Sequence, residues 1–195
     1  MTIKDDMLGL LRHNFPPHRK LTMLETHQQM VLSKAAQPYD MTHLEFNLLH
    51  AALGLATEVL ELQQSTTREN TEEELGDLLW YLNYTASLLF ITVEGMEQEF
   101  EAACMDKHAN FLPQKELAAK IEGLVSNIKK SIIYQQMMLL EESFVATCIA
   151  LCYHCKACDF SLGQLITSNT AKLEKRYKKT FTTEESASRN DKAKS

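Results

Sequence analysis

Residues 73–82 read EELGDLLWYL, and the reading of this stretch decides the fold. Leu75, Leu79 and Leu82, continued by Ala86 and Leu89, recur at three- and four-residue intervals, the period of a helix with one buried face. Glu74 and Asp77 flank that stripe one turn apart, so two carboxylates share a face at its margin. The preceding segment, 43–64, has the same construction. Its Leu44, Leu48, Ala51, Leu55, Glu58 and Leu62 are spaced 4, 3, 4, 3 and 4. Glu58 stands where the pattern predicts an apolar side chain, and Glu61 follows one turn on. STTREN (65–70) alone separates the two segments. So short a connection makes consecutive helices antiparallel neighbours, which brings the two acidic pairs, both near the joined ends, face to face.

Four converging, half-buried carboxylates repel one another, because burial and like charge both disfavour ionisation. A divalent cation relieves this, and an all-oxygen ligand set suits Mg²⁺, with Mn²⁺ as a substitute. Glu58, Glu61, Glu74 and Asp77 are therefore the candidate metal ligands. The plain alternative is four solvated acids at helical spacing, since a single ExxE carries almost no information. Gly54 and Gly76 lie beside this face. A helical glycine costs about 1 kcal/mol relative to alanine, so each predicts close approach of a helix or ligand, or tolerated small-residue packing.

The rest of the chain agrees with an all-α fold. Its 195 residues allow one ordinary domain, and the 6 glycines and 4 prolines are few. The expected helices cover about Leu21–Ala35, 43–64, 71–90, a stretch ending near 110, 115–134, 136–158 and 161–178, with a short one before Pro16-Pro17. Asp40 or Thr42 is the expected N-cap of the second long helix, and Asn70, with Glu73 as its capping-box partner, that of the next. One domain over 1–181 and a polar, flexible tail over 182–195 follow. An internal repeat is also visible: GLATEVLELQQ from Gly54 is echoed by GLVSNIKKSII from Gly123, so 43–90 and 115–158 read as two hairpins completing a four-helix core. The second copy carries Asn127 and Lys130 in place of Glu58 and Glu61.

A net charge of −6, with basic residues clustered only near 172–179, argues against nucleic acid as a partner. No apolar run is long enough for a membrane span, no secretory leader pattern opens the chain, and 5 clustered cysteines suit a reducing, cytoplasmic setting. Cys148, Cys152, Cys155 and Cys158 with His154 resemble a metal-binding run. However, 148, 152 and 155 are also i, i+4 and i+7 of an apolar helix, and small buried hydrophobes are the better reading.

With these residues in view, GLATEVLEL followed by NTEEELGDLLWYL resembles the MazG-like all-α nucleoside triphosphate pyrophosphohydrolases, whose signature is ExxE, a spacer, then ExxD. Here it reads Glu58-x-x-Glu61 and Glu74-x-x-Asp77. The lead-in His50-AAL-Gly54-Leu55 is similar, as is NTAKLEKRYKKTF (169–181) through Asn169, Lys172, Leu173, Arg176, Tyr177 and Phe181, with Arg189 continuing it. The chain departs from the family in having Gln63-Gln64 where a Lys-Lys pair is frequent, and in a long segment over about 91–160.

The resemblance implies a helical bundle that splits a nucleoside or deoxynucleoside triphosphate into monophosphate and pyrophosphate with Mg²⁺. It implies Glu58, Glu61, Glu74 and Asp77 as metal ligands and Glu61 as general base. Lys172 and Arg176 would contact phosphate, Asn169 and Asn83 sugar or base, Trp80 and Tyr81 the base, and His50 would line the pocket. It also implies a homo-oligomer, although an internal pseudo-dimer would make the assembly smaller. The competing reading is a non-catalytic binding or regulatory protein of the same fold. A di-iron oxidase is disfavoured because its Glu-x-x-His motif is missing.

Overall fold

The computed structural model describes residues 41–90, 112–136 and 139–176, with Gln98, Ala102 and Met105. The described elements are all helices: α1 (His43–Gln64), α2 (Arg68–Leu89), α3 (Gln114–Tyr134), α4 (Leu140–Ala157) and α5 (Leu162–Arg176). All five belong to the unit Thr42–Ser195. The helices expected before residue 41, the tail 182–195, and Tyr177, Phe181 and Arg189 lie outside the described residues, and of the stretch expected to end near 110 only Gln98, Ala102 and Met105, all helical, are described.

Local chemistry sets the ends. Thr42 caps α1 in a full capping box: its Oγ1 accepts from the Glu45 N–H at 3.2 Å, and the Glu45 carboxylate accepts from the Thr42 N–H at 2.8 Å. Ser65 closes α1 through its hydroxyl, which donates to the Leu62 carbonyl at 2.7 Å. The start of α2 differs from the expectation: Thr67 is the N-cap, its side chain accepting from the Asn70 N–H at 3.1 Å. A threonine hydroxyl available three residues earlier, followed by the good helix formers Arg68 and Glu69, lets the helix begin sooner. Asn70 therefore caps nothing, and Glu73 is free for another partner. α4 likewise starts at Leu140 rather than 136, because α3 ends with Gln135 in the left-handed region (φ 54°).

The core is the one the stripes predict. Leu48, Ala51, Leu55 and Leu62 of α1 and Leu75, Leu79, Leu82 and Ala86 of α2 are buried, joined by Val59 and Leu78. Leu44 is exposed, and with Leu48 and Ile132 it borders an apolar groove where the ends of α1 and α3 meet. α1 packs on α2 and α3, α3 on α4, and α4 on α2, so four helices enclose one core, while α5 lies against α2. Gln114 ties the start of α3 to the end of α1 by donating to the Leu62 carbonyl.

In the register that matches Gly54 to Gly123, buried positions of the first hairpin fall on buried positions of the second. Leu48, Leu55 and Val59 match Leu117, Leu124 and Ile128; Leu75, Leu82 and Ala86 match Phe144, Leu151 and Cys155. Buried Ala51 falls on exposed Lys120, and two further exceptions are instructive. Gly54 and Gly76 are buried, whereas their counterparts Gly123 and Val145 are exposed. Both glycines carry cover that the second hairpin lacks at these points: Tyr81 over Gly54 and α5 over Gly76.

Cys148, Cys152 and Cys155 belong to this core. Burial pushes the Cys148 thiol up to about 12. Among the described residues, no three of the cysteines and histidines converge as metal ligands. The Nδ1 of His154 lies 2.9 Å from the Leu112 carbonyl, a hydrogen bond that satisfies a histidine 4 % exposed.

Candidate metal centre

The antiparallel packing of α1 on α2 puts Glu58 and Glu61 opposite Glu74 near the joined ends of the two helices. Glu58, Glu61 and Glu74 each offer a carboxylate oxygen, and these oxygens lie within 4.8 Å of one another. Glu58 and Glu74 are half-buried and Glu61 is exposed, so the cluster sits at the margin of the core and opens to the surface.

The electrostatics are those of an overcrowded anionic site. Burial, then the charges of Asp77, Glu61 and Glu74, push the Glu58 carboxyl up to about 8. Burial, then the charge of Glu61, also raises Glu74, while a hydrogen bond from Glu58 opposes that rise. Glu58 thus holds a proton and donates it to the Glu74 carboxylate, which relieves part of the repulsion.

Asp77, the fourth expected ligand, acts on Glu58 through its charge but stands outside the three-oxygen convergence. Its carboxylate is taken up by α5: Asn169 donates its Nδ2 to Oδ1, and the Lys172 ammonium pairs with Oδ2. Glu73 lies 3.5 Å from the same ammonium, the partner it gains by not serving as a cap. The Lys172 side chain is only 13 % exposed, and an ammonium so enclosed requires paired acceptors. Gly76 makes this docking possible, since a Cβ there would lie 3.2 Å from the Asn169 Cβ. Beside it, Ser168 donates to the Glu72 carboxylate. Arg176 follows Lys172 by one turn, at the end of the described part of α5.

Beyond the acids, towards the opposite end of α1 and α2, lies an aromatic group. Trp80 meets Tyr81 edge-on at 4.8 Å and stacks on Tyr84 at 5.5 Å. His50 meets Tyr81 and Tyr84 edge-on at 5.9 and 5.8 Å. Trp80 is 39 % exposed, so it is not a core residue. Tyr84 was not singled out from the sequence, although its place four residues after Trp80 in WYLNY was the signal available. Asn83 lies seven residues after Gly76, on the side of α2 that faces away from Glu74 and Asp77.

In the second hairpin the counterparts of Glu58 and Glu61 form no acidic site. Lys130 donates to the Asn127 side-chain oxygen at 3.3 Å, and Asn127 donates to the Leu139 carbonyl at 3.3 Å. Among the described residues no helix is long and apolar enough to cross a membrane. No family model matches the chain, and neither a curated protein nor a solved structure does.

Proposed function

We propose that the chain is a Mg²⁺-dependent pyrophosphohydrolase of MazG-like type, cleaving a nucleoside or deoxynucleoside triphosphate to the monophosphate and pyrophosphate. The convergence of Glu58, Glu61 and Glu74 carries this reading. The donor set is all carboxylate oxygen, which fits Mg²⁺ or Mn²⁺. When bound, such a cation would offset phosphate charge and lower the pKa of a water.

The remaining work falls to the chain's own groups. Glu61, the exposed member of the triad, would take the proton of a water attacking the α-phosphorus. The bond to the β-phosphate oxygen breaks and pyrophosphate leaves with the bonding pair. Lys172 and Arg176, one turn apart, would receive phosphate oxygens. Asn169 is the proposed contact to sugar or base; Asn83, on the side of α2 away from Glu74, is left out of it. The exposed Trp80, stacked with Tyr84 and braced edge-on by Tyr81, with His50 beside them, would form an aromatic wall for a base.

The matched burial of the two hairpins supports an origin of the four-helix core by internal repetition. The proposal includes self-association, for which the exposed apolar row Phe46, Leu49, Leu53 and Leu60 along α1 is the support. It also places the protein in the cytoplasm, consistent with Cys148, Cys152, Cys155 and Cys158 being thiols rather than disulfides.

A panel of ribo- and deoxynucleoside triphosphates incubated with Mg²⁺ or Mn²⁺, with product analysis, tests the proposal. Monophosphate and pyrophosphate from at least one nucleotide are expected. Absence of pyrophosphate release across the panel would replace it with a non-catalytic binding protein of the same fold.

A further inference from the structure

Lys172 is an ammonium built into an anionic site, and the question is what it does before any ligand arrives. It pairs with Asp77, and Asn169 holds the other oxygen of the same carboxylate. The three glutamates that converge leave Asp77 out, although Asp77 follows Glu74 by one turn on the same face. Asp77 therefore has two sets of suitors: the α5 side chains and any cation among the glutamates. Lys172 also has a second acceptor at 3.5 Å, the Glu73 carboxylate. Releasing Asp77 would not strand a buried ammonium without a partner, which is the usual reason such a pair cannot open.

Resting on the cation-site reading above, we infer that Lys172 is a positioning residue that withholds Asp77 from the cation. In this arrangement the resting site is a three-glutamate site, and Asp77 becomes its fourth ligand only when Lys172 is drawn away, as by an anionic phosphate group. Cation and phosphate binding are then coupled through one aspartate, because each weakens the Lys172–Asp77 pair that opposes the other.

The test is a double-mutant cycle read by Mn²⁺ binding, with free Mn²⁺ followed by electron paramagnetic resonance in the absence of nucleotide. Wild type, Asp77→Asn, Lys172→Met and the double variant are compared, each first checked for helicity. Asp77→Asn is expected to change Mn²⁺ affinity less than about twofold while Lys172 is present, but to weaken it about tenfold once Lys172 is methionine, the range in which losing a metal-site carboxylate falls. A general charge effect alone would give the same loss in both backgrounds, and that result would overturn the inference. Should Lys172→Met not fold, Lys172→Gln serves in its place. If Mn²⁺ binds to none of the four proteins, or binds Glu58→Gln as well as wild type, the cation site itself fails and this inference falls with it.

Discussion

The ring of Tyr81 occupies the space that a Cβ on Gly54 would fill. The contact packs the aromatic group of α2 onto α1 one turn from Glu58 and one turn from His50. Gly54→Ala gains up to about 1 kcal/mol of helix propensity but forces the ring out of its site, and overpacking of this kind costs about 1–3 kcal/mol. A net loss of stability is expected in urea unfolding. In a Tyr81→Ala background the obstruction is gone, and Gly54→Ala should become neutral or stabilising. Equal effects in the two backgrounds would show that the ring is not the obstacle.

What was legible in the sequence, and what was not, follows from the range of each interaction. The burial of Leu48, Leu55, Leu75 and Leu82 comes from helical period alone, a local property, and was readable. The facing of Glu58 and Glu61 by Glu74 needed only a short loop between two helices. The fate of Asp77 was not readable, because it is decided by Lys172, 95 positions away, on a helix whose docking side depends on Gly76. The cap of α2 was misplaced because Thr67 and Asn70 are both good caps, and local sequence does not rank them when the residues between also favour a helix.

The thiols offer a check of the core. Cys148, Cys152 and Cys155 are buried, and burial raises the Cys148 thiol to about 12. At pH 8 these three should not react with a thiol reagent until the protein is unfolded. Cys158 is half-buried, and its thiol is also raised by burial, partly countered by Arg68; it should react slowly. Rapid labelling of Cys148 or Cys155 in the native state, located by peptide mass, would contradict the packing of α4.

Gln135 ends α3 with φ 54°, a conformation that favours glycine, and its side chain is exposed. Gln135→Gly removes the Cβ penalty of the left-handed region, about 1 kcal/mol, against a smaller entropic cost in the unfolded chain. The variant should melt a few degrees higher. A lower melting temperature would mean that the Gln135 side chain contributes to the groove it lines with Leu48 and Ile132.

The catalytic proposal makes a strong demand on Glu58. Glu58→Gln keeps size and removes the charge, so helicity should survive while pyrophosphate release falls by ~100-fold or more, at or beyond the loss seen when a metal's supporting residues are removed. Glu73→Gln serves as the contrast: it alters the Lys172 pairing and removes only the smallest of the charges acting on Glu74, without taking a carboxylate from the triad, and a loss of no more than about tenfold is expected. Equal losses in the two variants, measured as kcat/KM on the best nucleotide of the panel, would remove the distinction between ligand and neighbour.

The raised Glu58 carboxyl gives the metal-free protein a pH dependence whose sign is fixed. Its ordinary value of 4.5 describes the unfolded chain, and the folded value is about 8. Between the two, the folded protein holds a proton that the unfolded chain has released. Stability in the presence of a chelator must therefore fall as pH rises from about 4.5 to 8, and the contribution levels off above that. Glu74, raised in the same direction, adds to the slope. A divalent cation competes with this proton, so its binding at pH 7 should release protons, and its affinity should rise with pH over the same interval. Calorimetry in two buffers of different ionisation enthalpy measures the release directly. Glu58→Gln should flatten the stability slope in chelator. If it leaves the slope unchanged, the shared proton does not reside on Glu58, and the anionic crowding of the site must be relieved elsewhere.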